Sequence, residues 1–187
     1  MLEEVDRLTR LVENLLTLTR AESGRIQPRR EAVDVGGLAT SVADHLRILS
    51  EEKDQRLSVG VHGQVKAECD PAILRQGLVN LVDNAIKYTP AKGSIEVDVA
   101  HGSSGEVVVE VRDTGPGIPA QHQERVFERF YRVDAARARE SGGMGLGLAI
   151  ARWAVEANGG RIELESEEGQ GSVFRMILCG EGRDRAP

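Results

Sequence analysis

The sequence has few of the residues that mark disulfide-stapled, metal-binding or secreted domains. Only two cysteines occur among its 187 residues, Cys69 and Cys179, and their spacing fits neither a zinc site nor a disulfide framework. No apolar run approaches the roughly 18 residues of a membrane span, and no signal peptide precedes the first charges. These absences predict a chain that works in the reducing cytoplasm, and they leave open that it is one part of a membrane protein.

Positive charge is also in deficit. Lys and Arg number 24 against 30 Asp and Glu, which gives a net charge of -6. An acidic chain is a poor general ligand for nucleic acid or for an anionic membrane surface, so we expect neither as a direct partner. A local basic cluster would still allow a small anionic ligand. With 40% hydrophobic and 29% charged residues, the composition is typical of a globular protein of one domain plus an appendage.

Apolar periodicity predicts helices over residues 2–23, 32–49, 71–88 and 145–157, and strands over 56–62, 65–69, 94–100, 106–111, 161–166 and 171–178. Asp34 and the pair Asp70-Pro71 are suitable helix starts. Gly77 is an anomaly in the third helix, because glycine there costs about 1 kcal/mol relative to alanine. The order of elements predicts an α+β fold, a two-layer sandwich of a mixed β-sheet and about three helices, preceded by one long N-terminal helix.

Three polar side chains share one face of the helix predicted over 71–88. Asn80, Asn84 and Lys87 are four and three residues apart, so they project in the same direction. Two amide oxygens and an ammonium group suit a hydrated magnesium ion and a phosphate chain. The alternative is an ordinary solvated face. Asparagine is a poor helix former, which shifts the balance toward a functional site.

A predicted strand ends in Asp113, which is followed by two glycines at alternate positions, Gly115 and Gly117. Glycines let the backbone approach a flat ligand closely, and the carboxylate can accept a hydrogen bond from an amine. An ordinary tight turn remains an alternative. The Asp-Thr-Gly of aspartic proteases is a poorer fit, because two such loops must share a proton and this chain has only one.

A third glycine-rich segment, GGMGLG over 142–147, leads directly into a helix, where backbone N–H groups can bind an anion. It matches neither the dinucleotide-binding pattern nor a P-loop, and no protein-kinase HRD or DFG motif occurs. In the preceding aromatic run, Phe127 and Phe130 are predicted to be core residues. The basic residues of this stretch, which could offset polyphosphate charge, are Arg129, Arg132, Arg137 and Arg139.

Together these segments resemble the ATP-binding catalytic domain of two-component sensor histidine kinases, within the wider family of gyrase, heat-shock protein 90 and mismatch-repair ATPases (the Bergerat fold). The motifs that carry the resemblance are, in order, NLVDNAIKYTP, DTGPGIP, VFERFYR, GGMGLGLAI and GQGSVF. The resemblance spans about residues 30–178. It implies an ATP-binding domain over 25–187. Residues 1–24 are similar to the second helix of the family's dimerisation hairpin, which implies a partial hairpin here and a homodimer in the full-length protein.

The resemblance also implies a role for each matching residue. Asn84 would be the Mg²⁺ ligand, Asn80 would lie beside the metal and phosphates, and Lys87 would bind phosphate, so Asn80 and Lys87 are the catalytic candidates. The other candidates for nucleotide binding are Tyr88 at the ribose, Asp113 at the adenine amine, Gly115, Gly117 and Ile118 around the base, Phe130 and Arg132 at the lid, Gly143, Gly145, Leu146 and Gly147 at the phosphates, and Ser172 near the adenine.

The implied reaction transfers the γ-phosphoryl group of ATP, with Mg²⁺, to a histidine of the dimerisation domain, for relay to the receiver domain of a response regulator. Asn80 stands where the gyrase-like branch has a water-activating glutamate. Because asparagine is not a general base, we expect slow ATP hydrolysis. None of the four histidines, His45, His62, His101 and His122, has the sequence context of the family's phosphoacceptor.

We therefore expect this chain to bind ATP without phosphorylating itself. The resemblance implies a cytoplasmic location for the chain, within a full-length protein anchored in the inner membrane. The alternative hypothesis is a non-catalytic regulatory module, similar to an anti-sigma factor, whose nucleotide site only supports interaction. Phosphoryl transfer to a separately supplied hairpin would discriminate between the two.

Overall fold

The computed structural model describes residues 9, 12, 14–21, 26–133 and 144–180. Residues 14–21 form helix α1. The elements that follow are β1 (Glu31–Asp34), α2 (Val35–Glu52), β2 (Arg56–Val61), β3 (Lys66–Cys69), α3 (Pro71–Tyr88), β4 (Ser94–His101), β5 (Val107–Asp113), α4 (Ala120–Gln123), α5 (Gly147–Ala157), β6 (Arg161–Glu167) and β7 (Gly171–Leu178). A 3₁₀ turn over Arg125–Phe127 lies between α4 and the segment that leads to α5.

The main sheet has five strands in the order β2-β4-β5-β7-β6. Strands β2 and β4 are parallel, and every other neighbouring pair is antiparallel. Strands β1 and β3 form a separate antiparallel pair. The mixed sheet confirms the predicted α+β class.

One face of the main sheet carries the hydrophobic core, because side chains alternate between faces along each strand. On that face, Val97, Val109 and Met176 are fully buried beneath α2, α3 and α5. The opposite face is charged, and Arg175 there pairs with Glu110 at 2.7 Å. Among the residues that the structure describes, no helix has both the length and the apolar composition needed to cross a bilayer.

Most element boundaries agree with the prediction, and the differences are local. The helix predicted to begin at residue 32 begins at Val35, because residues 31–34 pair with β3. Asp34 caps that helix as predicted, with its carboxylate accepting from the Gly37 N–H at 3.1 Å. Helix α4 and the 3₁₀ turn are too short to produce a periodic signal and were not predicted. Of the predicted N-terminal helix, residues 2–8, 10, 11, 13, 22 and 23 lie outside the described residues.

The close crossing of α3 and α5 explains Gly77. A β-carbon built on Gly77 would lie 2.7 Å from the Ala154 β-carbon and 3.2 Å from the Met176 methyl carbon. Real β-carbons almost never come so close to another atom, so any larger residue would push the two helices apart. The helix-propensity cost of Gly77 is thus offset by tight packing of α3 on α5.

We predict that Gly77→Ala destabilises the domain by about 1–2 kcal/mol, because overpacking outweighs the better helix propensity of alanine. Chemical denaturation would measure the change in the free energy of unfolding. Arg75 lies on the exposed side of α3 and provides the matched control. At position 75 the alanine variant should be more stable than the glycine variant, whereas at position 77 glycine should be more stable than alanine. A more stable Gly77→Ala variant would contradict the packing explanation.

Asp70 fixes the N-terminal end of α3. Its carboxylate accepts from the backbone N–H groups of Ala72 at 3.0 Å, Ile73 at 3.1 Å and Arg29 at 2.8 Å. Partial burial disfavours the charged carboxylate, but these hydrogen bonds outweigh it and hold the pKa of Asp70 below its ordinary value. Asn158 also accepts from the Asp70 backbone N–H, at 2.7 Å, which ties the start of α3 to the end of α5.

We predict that Asp70→Ala lowers the free energy of unfolding by about 1–2 kcal/mol at neutral pH, as expected for loss of a helix cap. Because the pKa of Asp70 is lowered in the folded state, its contribution is complete above the unfolded pKa of about 3.9 and is lost as pH falls through the folded pKa. Urea titrations at decreasing pH should therefore show a constant difference between the two proteins down to about pH 4 and convergence only below it. Asp44→Ala, at an exposed ion pair, should show neither effect.

Candidate functional site

The polar face of α3 meets the first turn of α5. The Asn80 amide nitrogen donates to the Gln76 carbonyl at 2.8 Å, and a β-carbon on Gly147 would lie 3.1 Å from the Asn80 amide oxygen. Within the described residues, helix α5 has no side-chain capping hydrogen bond at its N-cap residue Leu146, so its first backbone N–H groups can bind a ligand. The face that carries Asn80 thus lies beside a helix N-terminus suited to an anion.

Asn84 and Lys87 continue this face toward the C-terminal end of α3. Asn84 is half-buried and its side chain makes no hydrogen bond within the described part of the chain, so its amide oxygen can accept a ligand. The exposed Lys87 ammonium pairs with Asp83 one turn earlier, at 2.5 Å. The structure therefore places Asn80, Asn84 and Lys87 together along one edge of α3, as the spacing predicts.

Two residues that sequence reasoning missed hold the C-terminal end of α3. The Lys53 ammonium donates to the carbonyls of Ile86 at 2.6 Å and Lys87 at 2.9 Å. The buried Gln55 amide donates to the carbonyls of Ile86 at 3.0 Å and Thr89 at 2.5 Å. Burial lowers the pKa of Lys53. Because both residues are more than 30 positions from their partners, no local pattern could have indicated them.

Asp113 is a buried acceptor at the end of β5, and only 7% of it is exposed. Burial raises its pKa, although the carboxylate accepts a hydrogen bond from the backbone N–H of Gly115 at 2.8 Å. The loop after Asp113 reaches the end of α3, since a β-carbon on Gly115 would lie 3.3 Å from the Tyr88 carbonyl oxygen. This close approach joins Asp113 to the polar edge of α3 in one site.

The rest of the DTGPGIP loop is held tightly against β6. Gly117 has a φ of 69°, and a β-carbon there would lie 2.0 Å from the Glu167 carbonyl oxygen, so the position requires glycine. The backbone N–H of Ile118 donates to the Ser166 hydroxyl at 2.8 Å, and its carbonyl accepts from the Gln123 amide at 2.9 Å. Sequence reasoning missed both Ser166 and Gln123.

Phe130 and Gly145 are joined at the ends of the segment that connects the aromatic run to α5. The Phe130 N–H donates to the Gly145 carbonyl at 2.8 Å. Gly145 has a φ of 70°, and a β-carbon there would lie 2.8 Å from the Phe130 carbonyl carbon. Arg132 is half-buried nearby in the chain. The predicted binding residue Gly143 and the arginines Arg137 and Arg139 lie outside the described residues.

The prediction that Phe130 is a core residue is wrong. Its side chain is 58% exposed, because its backbone adopts a φ of 62° that turns it away from the core. Phe127, in contrast, packs edge-on against the buried Phe174, with ring centroids 6.2 Å apart. The side chain of Leu146, another predicted nucleotide-binding residue, is buried and does not face a ligand. It is 1% exposed and packs in a small cluster with Leu18 of α1, so only its backbone can contact a nucleotide.

A groove of about 540 Å³ lies at the end of the sheet, and residues of both faces line it. Arg112, Arg175 and Glu165 come from the charged face, and Asp113, Ser166 and Ser172 come from the face that carries the helices. Partial burial disfavours charge on Glu110, but hydrogen bonds from Arg175 and Arg112 outweigh it and lower the pKa of this carboxyl. Because both arginines are already paired with carboxylates, the charged side of this groove is a weak anion site.

Comparison with known proteins is consistent with this geometry. The family model described as histidine kinase-, DNA gyrase B-, and HSP90-like ATPase matches residues 69–181. The sensor protein IrlS of Burkholderia pseudomallei is 36% identical over 166 residues, which are 89% of this chain and 35% of that protein. The sensor histidine kinase WalK of Bacillus subtilis is 36% identical over 176 residues, which are 94% of this chain and 29% of that protein.

Among solved structures, full-length ShkA in complex with AMPPNP superposes with a TM-score of 0.84 at 32% identity, over 94% of this chain and 36% of that one. The chain spans about a third of the length of the curated relatives named above. Because these relatives are sensor kinases, the comparison supports the kinase interpretation over the non-catalytic module. The chain belongs to the histidine kinase-, DNA gyrase B- and HSP90-like ATPase family, and it is similar over nearly its whole length to a region of the sensor histidine kinase WalK.

Proposed function

We propose that the chain binds Mg-ATP in the cleft between α3, the N-terminus of α5 and the Asp113 loop, and transfers the γ-phosphoryl group to a histidine on a dimerisation domain. The observation that carries the proposal is that α3 brings three complementary groups together, because Gly147 at the start of α5 lies against Asn80 and Gly115 of the Asp113 loop lies against Tyr88. These are the polar edge of α3, an uncapped helix N-terminus and a buried carboxylate. A nucleotide has a phosphate chain for the first two and a base for the third.

We assign to each candidate residue the role that the family resemblance implies. Asp113 accepts from the exocyclic amine of adenine, in a pocket shaped by Gly115, Gly117, Ile118 and Ser172. Lys87 binds phosphate after leaving Asp83, and Tyr88 borders the ribose. The backbone of Gly145, Leu146 and Gly147 faces the phosphates at the start of α5. Gly143, Phe130 and Arg132 belong to the segment that closes over the nucleotide.

The residues beside the phosphates fit a magnesium ion that arrives with the nucleotide. The described residues contain no group of three or more His, Cys, Asp or Glu placed to hold a metal. An amide oxygen such as that of Asn84 is a suitable single protein ligand, because Mg²⁺ keeps most of its water and phosphate ligands. When bound, the ion neutralises charge on the phosphates. Asn80 lies beside this position and cannot act as a general base, which favours phosphoryl transfer over hydrolysis.

The partners follow from the same assignment. We assign residues 1–24 to the second helix of a dimerisation hairpin and residues 25–187 to the ATP-binding domain. Leu18 of α1 is buried against α5, while Leu15 and Leu16 of the same helix and the preceding Val12 are exposed apolar side chains. Their exposure supports packing in a hairpin bundle of a homodimer. The full-length protein would be anchored in the inner membrane and would pass its phosphoryl group to a response regulator.

We predict that ATP binds the wild type in a magnesium-dependent manner, that Asp113→Ala abolishes detectable binding, and that Asn84→Ala removes the magnesium dependence. Loss of the buried acceptor removes the base contact, whereas loss of the amide oxygen removes only the protein ligand of the metal. Calorimetric titration of ATP with and without Mg²⁺ would measure each effect. Asp83→Ala is the matched control, since it frees Lys87 and should not weaken binding. A folded wild type that fails to bind millimolar ATP would refute the proposal.

We further predict that the chain incubated with Mg-ATP labelled at the γ-phosphate gains no acid-labile, alkali-stable label of its own. Its histidines lack acceptor context, and His122 is bound instead to the Tyr131 hydroxyl at 2.6 Å. The separately expressed histidine-bearing hairpin of the full-length protein should become labelled when it is added. A label that stays on this chain would contradict the first part, and an unlabelled hairpin beside an ATP-bound chain would contradict the second.

A further inference from the structure

Three polar residues form a row across the sheet beside the proposed base pocket. Ser172 on β7 is directly opposite Asp113 on β5 and directly opposite Ser166 on β6. Directly opposite residues place their side chains on the same face of a sheet, here the face that carries the helices. Ser172 is 6% exposed and Asp113 is 7% exposed, so the row is largely withdrawn from water.

The Ser166 hydroxyl uses its full hydrogen-bonding capacity. A hydroxyl has one proton and two acceptor lone pairs. The Ile118 N–H, which can only donate, lies 2.8 Å from the Ser166 oxygen, and the Gly171 carbonyl, which can only accept, also lies 2.8 Å away. The third neighbour is the Ser172 hydroxyl, at 3.0 Å. Because the single proton of Ser166 goes to Gly171, the Ser172 hydroxyl must donate to Ser166.

This direction determines what Ser172 offers to a ligand. With its proton given to Ser166, the Ser172 oxygen has only lone pairs left for the pocket. The neighbouring Asp113 carboxylate is also an acceptor, and the Gly115 N–H already donates to one of its oxygens at 2.8 Å. The pocket therefore presents acceptors toward the edge of a base. At position 6 of the base, a 6-amino purine offers N–H donors to these acceptors, whereas a 6-oxo purine offers only another acceptor.

We propose that Ser166 is a specificity-determining positioning residue, which fixes the Ser172 hydroxyl as an acceptor and so makes the pocket select 6-amino over 6-oxo purine nucleotides. The inference rests on the proposed nucleotide site. Ser166 acts through Ser172 and through the Ile118 backbone, without touching the base. Replacing Ser166 with alanine frees the Ser172 proton, which can then rotate and donate to a 6-oxo group.

The competing explanation is that Ser166 only holds the loop. Gln123 provides a control for that role, because its amide donates to the backbone carbonyls of Ile118 at 2.9 Å and Ser166 at 2.8 Å. These hydrogen bonds hold the loop without involving the hydroxyl of either serine. A variant that merely loosens the loop should weaken binding of every purine nucleotide by a similar factor. A variant that changes the direction of the Ser172 hydrogen bond should change their ratio.

The test compares dissociation constants of ATP and inosine triphosphate, with Mg²⁺, for the wild type, Ser166→Ala, Ser166→Thr and Gln123→Ala. We expect Ser166→Ala to reduce the preference for ATP by about tenfold, the scale of one hydrogen bond. Ser166→Thr keeps the hydroxyl and should keep the preference, and Gln123→Ala should weaken both nucleotides without changing their ratio. An unchanged ratio in Ser166→Ala, or an equal change in Gln123→Ala, would overturn the inference.

Thermal melting of each variant shows whether it is folded. Should Ser166→Ala fail to fold, Ser172→Ala decides the question. Removing a pure acceptor should weaken ATP and leave inosine triphosphate nearly unaffected, whereas equal loss of both would show that Ser172 is not held as an acceptor. A wild type that binds neither nucleotide would refute the proposed function itself. A wild type that binds both nucleotides equally would overturn only the inference about specificity.

Discussion

The structure depends on how α3 is held. One side of this helix is buried on the core face of the sheet and against α5, with Leu74, Leu78 and Leu81 almost fully enclosed. The Asp70 cap and the hydrogen bond from the Asp70 N–H to Asn158 fix its start. Long-range hydrogen bonds donated by Lys53 and Gln55 fix its end. A helix restrained in rotation and along its axis presents its remaining polar edge in one position, which a binding site requires.

The close packing of α3 on α5 links this restraint to the proposed chemistry. Gly77 allows the two helices to approach, and the same approach brings the uncapped start of α5 to Asn80. At the other end, contact between the Tyr88 carbonyl and Gly115 sets the distance from α3 to Asp113. The phosphate side and the base side of the cleft are thus built from the two ends of one helix, and an error in its placement would disturb both.

Much of this arrangement could be predicted from the sequence, for physical reasons that differ between elements. Helical spacing was enough to put Asn80, Asn84 and Lys87 on one edge, and caps at Asp34 and Asp70 marked helix starts. Sheet order, the β1–β3 pair and the roles of Gln55 and Ser166 depend on residues that meet only after folding, so no local pattern could reveal them. Phe130 was predicted to be a core residue because the sequence indicates its hydrophobicity but does not indicate its left-handed backbone conformation.

The central claim is that the edge of α3 and the Asp113 loop form a single nucleotide site. Backbone hydrogen exchange with and without Mg-ATP tests it most directly, since a ligand slows exchange in the segments that it stabilises. The account predicts that exchange slows together in residues 80–88 and 113–118, with the same dependence on ATP concentration. Slowing confined to one of these segments, or found only in α2 and the β1–β3 pair, would contradict it.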